Sequence, residues 1–224
     1  MKKKVLLLVC LLISAALGGA VGERSIATLV RDRSNTLSAD IPAPAADLSG
    51  LVLTLRDLPA GFTEMPLATI QKLASGFYSF KPASVFAYQK SDAQPFQVIL
   101  GFTMQLPNQM DRTQFDAGVR EDILAREIFK GLNSSSNTEL QFANLTALTL
   151  EDKIGEVSRG WTTQGKMPGV TINAEFAVFR RGKIGSFMIN MYLDGSKPAV
   201  TISEAAGKLD KRIMELKPDL TQPQ

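Results

Sequence analysis

Carboxylates are the side chains of this sequence with most chemistry to offer, because it has almost nothing from which to build a nucleophile and its base. Glu151 stands beside Asp152, and Glu156 with Glu175 forms a second candidate pair. Two such acids can divide general-acid from general-base work when they share one cleft. The chain holds no histidine, and its single cysteine, Cys10, sits in the N-terminal apolar run. Ser-His-Asp and Cys-His nucleophilic systems therefore lack a base or a thiolate. Zinc sites lack their customary ligands. No G-x-S-x-G stretch, S-x-x-K stretch or Asp/Asn-rich calcium loop occurs. Gly182-Lys183 fails as a phosphate-cradling loop, since Ala177 takes the first glycine position and Ile184 the hydroxyl position. Both acid pairs read as solvated surface acids. The expectation is a non-enzymatic chain with no catalytic residue, cofactor or metal.

The apolar residues offer a different chemistry. Trp161, the sole tryptophan, reads as a buried sheet aromatic, with ligand stacking as the other possibility. Phe77, Tyr78 and Phe80 cap the core edge or rim an apolar pocket. Met188 and Met191, with Met104, would suit an adaptable lining. With Leu58 and Phe62 at the domain's opening, the candidate ligand or partner surface is Leu58, Phe62, Phe77, Tyr78, Trp161, Met188 and Met191. Arg180, Arg181 and Lys183 form a basic hairpin tip, read as a solvated turn.

These residues must be delivered to the right compartment and then positioned. Lys2-Lys3-Lys4, the uncharged apolar run from Val5 and the small residues Gly18 to Gly22 read as a signal peptide over 1–22, with a retained anchor as the second reading. The expected location is the periplasm, a thylakoid lumen or the extracellular space. Removing the three leader lysines from 25 basic residues leaves 22, matched by 22 acidic ones, so the net +3 belongs to the leader. A charge-balanced body has no field for collecting phosphate backbones, which argues against nucleic-acid partners. Cys10 leaves with the leader, so packing rather than disulfides must hold the rest.

Residues 23–49 end in a Pro-spaced stretch, Ile41 to Ala46, and read as a flexible spacer. A single domain is expected over 50–217, with a disordered tail over 218–224. Pro59 and Gly61 force a turn before Phe62, and a short helix spans Leu67 to Ala74. Pro95 to Leu106 alternates strictly, with Phe96, Val98, Leu100, Phe102, Met104 and Leu106 on one side, predicting a strand with one buried face. Ser84 to Gln89 is its antiparallel neighbour. Asp111 and Gln114 make a capping-box pattern for a helix that carries Phe115, Val119, Ile123, Leu124 and Ile128 to Gly131. Strand resumes over Thr138 to Leu150, broken near Asn144. Val157–Thr163 and Val170–Phe179 are joined through Gly165 to Gly169, and Arg180 to Lys183 turns the chain into Ile184–Leu193. Thr201 with Glu204 caps a final helix whose buried stripe is Ile202, Ala205, Leu209, Ile213 and Leu216.

The fold class is α+β: a mainly antiparallel sheet of about six strands with two longer helices packed on one face. The Ile184–Leu193 strand is apolar on both sides, which leaves the second face either covered by further chain or open as a cleft.

Asp57-Leu58-Pro59-Ala60-Gly61-Phe62 resembles the DLP-x-G-F opening of exported bacterial domains, mainly cyanobacterial and actinobacterial. Ile154 to Ser158, Val178 to Lys183 and Leu209 to Ile213 follow in the order found there. Such domains resemble the photosystem oxygen-evolving PsbP family and the Mog1 proteins. The resemblance implies fold and compartment and carries over no functional residue. The expected role is binding of a protein partner or an apolar molecule. Two other roles stay open: an accessory or assembly factor at a photosynthetic or cell-envelope membrane, and a carboxylate-dependent hydrolase.

Overall fold

The computed structural model describes residues 48, 50–76, 82–90, 96–126, 129, 141–151, 153–167 and 169–221. The expected leader, most of the expected spacer, Phe77, Tyr78, Phe80, Asp152 and the expected end of the second helix, with Ile128 and Gly131, lie outside these residues. Strands β1 (Phe62–Glu64), β2 (Ser84–Lys90), β3 (Gln97–Gln105), β6 (Val157–Met167), β7 (Val170–Arg181) and β8 (Ile184–Leu193) are joined antiparallel in the order β1-β2-β3-β8-β7-β6. The position beyond β6 is shared end to end by β4 (Gln141–Phe142) and β5 (Thr146–Leu148). The sheet is thus one strand position wider than the expected six. Among the described residues, the helices are α1 (Leu67–Gly76), α2 (Gln109–Arg120), α3 (Ile202–Leu216) and the four-residue α4 (Pro218–Thr221), with a further helical stretch over 123–126.

The two longer helices take opposite faces, which corrects the expectation that both cover one. Successive strand residues point to opposite sides, and β3 supplies both cores: Val98, Leu100 and Phe102 to one, Ile99 to the other. Phe115 and Val119 of α2 pack on the first core. Ile202, Ala205, Leu209 and Ile213 of α3 pack on the second, with Leu51, Leu53 and Leu58 beside them. Every residue from Gln97 to Thr103 is consequently buried. The one-sided strand expected from period two is a two-sided central strand, because the N-terminal segment and α3 roof the second face. Each fully buried aliphatic side chain contributes about 1.5–3 kcal/mol.

Local differences have local causes. Asn108, not Asp111, caps α2: its Oδ1 accepts from the Asp111 amide at 2.8 Å. The helix stops at Arg120, because Asp122 turns left-handed at φ 59° in the position after the C-cap. The expected stripe is interrupted there: Ile123 is exposed, while the chain is helical again over 123–126 and Leu124 packs against the α2-side core. Strand β6 runs on to Met167, pairing Gly165 with Ile172 and Lys166 with Thr171 where a connection is expected. Leu216, at the end of the α3 stripe, is exposed. Leu48 is buried, so the folded part begins inside the expected spacer. Residues 218–221 of the expected tail form α4, and the Leu220 carbonyl accepts from the Lys183 amide at 2.8 Å. The N-terminal segment of the domain meets α3 through Asp57. Its Oδ2 accepts from Arg212 Nη2 at 2.7 Å, and its backbone carbonyl takes Lys208 Nζ at 2.5 Å.

Candidate functional site

The residues that sequence suggests as one ligand surface are dispersed between the two cores. Leu58, Phe62 and Met188 lie in the α3-side core, while Trp161 and Met191 lie in the α2-side core. None of the five is more than 7% exposed. The indole of Trp161 donates to Asp122 Oδ1 at 3.1 Å, and Arg159 pairs with the same carboxylate at 3.0 Å. This ties the bend after α2 to the sheet. Among the described residues, these side chains are core and line no shared cleft.

The second candidate acid pair is also separated. Glu156 lies beside Arg180, five residues along β7 from Glu175, which is about 17 Å at roughly 3.3 Å per residue. Glu156 is engaged at both oxygens, one by Arg180 Nη1 at 2.5 Å and the other by the Gly182 amide at 2.9 Å. No group of three acidic, cysteine or histidine residues is placed to hold a metal among the described residues.

The two arginines of the basic hairpin tip are held by the helices rather than solvated. Arg180 and Arg181 are the last residues of β7, so their side chains leave by opposite faces. Arg180 reaches α2, forking onto Asp116 at 2.6 and 2.7 Å. Arg181 reaches α3, forking onto Asp210 at 2.8 and 2.5 Å, and the Gly155 amide adds a third bond to that carboxylate at 3.0 Å. Hydrogen bonding to Asp116 holds the Arg180 guanidinium above its ordinary pKa, and hydrogen bonding to Asp210 does the same for Arg181. The turn itself is Gly182–Lys183. Gly182 sits at φ 56°, and a Cβ there would collide with the Leu220 carbonyl oxygen. The sequence could not show this, because Asp116 and Asp210 lie far from the hairpin in the chain.

A polar terrace occupies the other end of the α3-side sheet face. One row across the strands is Gln97, Tyr192, Asn173 and Gln164, and the next is Asn190, Glu175 and Thr162. Gln97 and Asn190 form its buried root. The Gln97 amide donates to Asn190 Oδ1 and the Val200 carbonyl, both at 2.7 Å, and its oxygen accepts from the Ala199 amide at 2.8 Å. These bonds fix the entry to α3. Glu175 accepts from Asn190 Nδ2 at 3.1 Å and from the Tyr192 hydroxyl at 2.8 Å. Burial first, then the hydrogen bond to Glu175, raises the Tyr192 phenol above its usual pKa. Toward the rim, Asn173 and Gln164 both donate to Asp194, at 3.1 and 3.4 Å. Gln164 and Asp194 are exposed, while Thr162, Asn173, Glu175 and Tyr192 are half-buried.

None of the terrace residues except Glu175 stands out from sequence as a candidate. Their signal is present as polar residues at alternate positions near the ends of β3, β7 and β8, interleaved with apolar residues of the opposite core. Chemically the terrace offers amide donors and acceptors, one phenol and two carboxylates held by neutral donors, which suits hydrogen-bonded recognition. The chain matches no protein-family model, and no curated protein matches it.

Proposed function

We propose that this chain is an exported, non-enzymatic binding or accessory domain that engages a protein partner through the polar terrace on its α3-side face. The observation carrying this reading is the terrace itself: six open or half-open polar side chains on and beside three adjacent strands, anchored on the fully buried Gln97 and Asn190. Tyrosine and amide side chains on a rigid sheet suit protein recognition, giving contact area and adaptable hydrogen bonds at low ordering cost. The binding rather than catalytic reading is supported by the employment of the acids. Asp57, Asp116, Glu156 and Asp210 are each paired with arginine, and the separated Glu156 and Glu175 give acid–base chemistry no common cleft. Export is supported by the leader pattern of residues 1–22. Met188 and Met191, suggested by sequence as an apolar lining, are packed core, so the reading is carried by the terrace.

The test is crosslinking in the source organism followed by mass spectrometry of what is attached to Gln164 or Asn173, each replaced in turn by a photoreactive residue. A single partner crosslinked at both positions, and lost with Asn173→Lys at an unchanged melting temperature, supports the proposal. Hydrolytic turnover abolished by Glu175→Gln would overturn it.

A further inference from the structure

The sheet's two edges are protected very differently. At the β1 edge, Glu64 lies in the strand, Pro59 and Pro66 flank it, and Lys90 reaches across to the Ala60 carbonyl at 2.8 Å. Charges and prolines of this kind stop an edge from recruiting another strand. At the opposite edge, residues 141–150 contain no Lys, Arg, Asp, Glu or Pro. Strand β5 pairs on its inner side with β6, placing Thr146 against Thr162, Ala147 against Trp161 and Leu148 against Gly160. No described strand pairs with its outer side, and Thr146 and Ala147 are exposed. Among the described residues, shortness is the one protection this edge has.

We propose that the chain forms a two-fold dimer in which Thr146–Leu148 of one copy pairs antiparallel with the same residues of a second, joining two sheets into one. The sequence of the edge selects a second copy as the occupant. In a two-fold pairing centred on Ala147, each residue meets its own kind or a near neighbour, so any charge would face another close by. There is none from Gln141 to Leu150. Ala147 faces Ala147, which permits close approach. Thr146 faces Leu148, and Leu145 faces Thr149. Leu145 already packs against the α2-side core and Leu148 against the α3-side core, so both apolar layers would continue across the junction.

Sedimentation velocity of the purified chain over a concentration series tests this directly. The expected result is a weight-average mass rising to twice that of one chain, with Thr146→Lys and Ala147→Lys each remaining at the single-chain mass. Both sites are exposed, so the melting temperature of the variants should match the parent at low concentration. Amide exchange at 146–148 should slow as concentration rises in the parent alone. A parent that stays monomeric throughout overturns the proposal, as does a dimer that survives both lysine substitutions. A dimer broken by Asn173→Lys on the terrace and unaffected at the edge would also overturn it.

Discussion

Asp210→Ala would remove the anchor that fastens α3 to the hairpin tip. Asp210 is 3% exposed and receives two hydrogen bonds from Arg181 and one from the Gly155 amide. Breaking a buried ion pair from one side costs about 3–5 kcal/mol, because the remaining charge is left without a partner. The Arg181 side chain is 20% exposed, so water can reach part of it, which favours the lower end. The orphaned Gly155 N–H adds about 1–3 kcal/mol. A total of about 4 kcal/mol, divided by an m-value of about 2 kcal/mol/M, moves the urea midpoint down by about 2 M. The assay is equilibrium unfolding followed by Trp161 fluorescence and far-UV circular dichroism. Arg181→Met with Asp210→Leu should recover most of the loss, since an apolar pair of similar volume replaces the buried charges. A single variant costing under about 1 kcal/mol, or a double variant no better than Asp210→Ala, would refute the reasoning.

Gly182→Ala should cost at least about 3 kcal/mol, because the position needs a positive φ and its new methyl would strike the Leu220 carbonyl; limited proteolysis should then cut within 218–221 before the rest of the domain. Thr201→Ala removes the acceptor for the Glu204 amide, bonded at 3.1 Å, and should cost about 1 kcal/mol, read as a drop in melting temperature. Burial pushes the Tyr88 phenol up to about 12, and Tyr192 shifts in the same direction. Both then hold a proton in the folded state that the unfolded chain has released, so their stability contribution is complete below about pH 10 and declines above it, that of Tyr88 being lost as pH rises through about 12. Thermal melts across that range, paired with ultraviolet titration of the phenols, should show the decline, and flat melting temperatures would contradict it. The Thr201 amide holds Glu204 below its usual pKa, so its contribution is present at neutral pH and disappears as pH falls below the ordinary glutamate range, which Glu204→Gln melts in acid should expose.

Much of the fold is legible where the signal is local. The turn at Gly182–Lys183 with the apolar run Ile184–Leu193, and the Thr201/Glu204 capping box, set the bounds of β8 and α3, and the break near Asn144 separates β4 from β5. The choice of face for each helix is not legible. It depends on how the connections cross the sheet, and a strand apolar on both sides accommodates either arrangement. The apolarity of both sides of β8 is the correct clue, and its answer is one helix per face rather than an open cleft. The hairpin arginines mislead because a charge on a turn is ordinarily solvated, and partners at Asp116 and Asp210 leave no trace in the neighbouring sequence. Among the site residues suggested by sequence, Trp161 behaves as the buried sheet aromatic it resembles. Leu58, Phe62, Met188 and Met191 read as a surface only because composition cannot tell a lining from a core. The terrace escapes notice because its polar residues alternate with the other core's apolar ones, so each strand reads as hydrophobic overall.

The bonds from Arg212 and Lys208 to Asp57 span more than 150 positions of chain. Leu51, Leu53 and Leu58 have no roofed surface to occupy until α3 has arrived. A growing polypeptide therefore cannot complete the α3-side layer before α3 is synthesised, and contacts closing so late make for slow folding. Under the export proposed above, such delay would keep the molecule threadable through a narrow conduit, as passage across a membrane in unfolded form requires of its cargo.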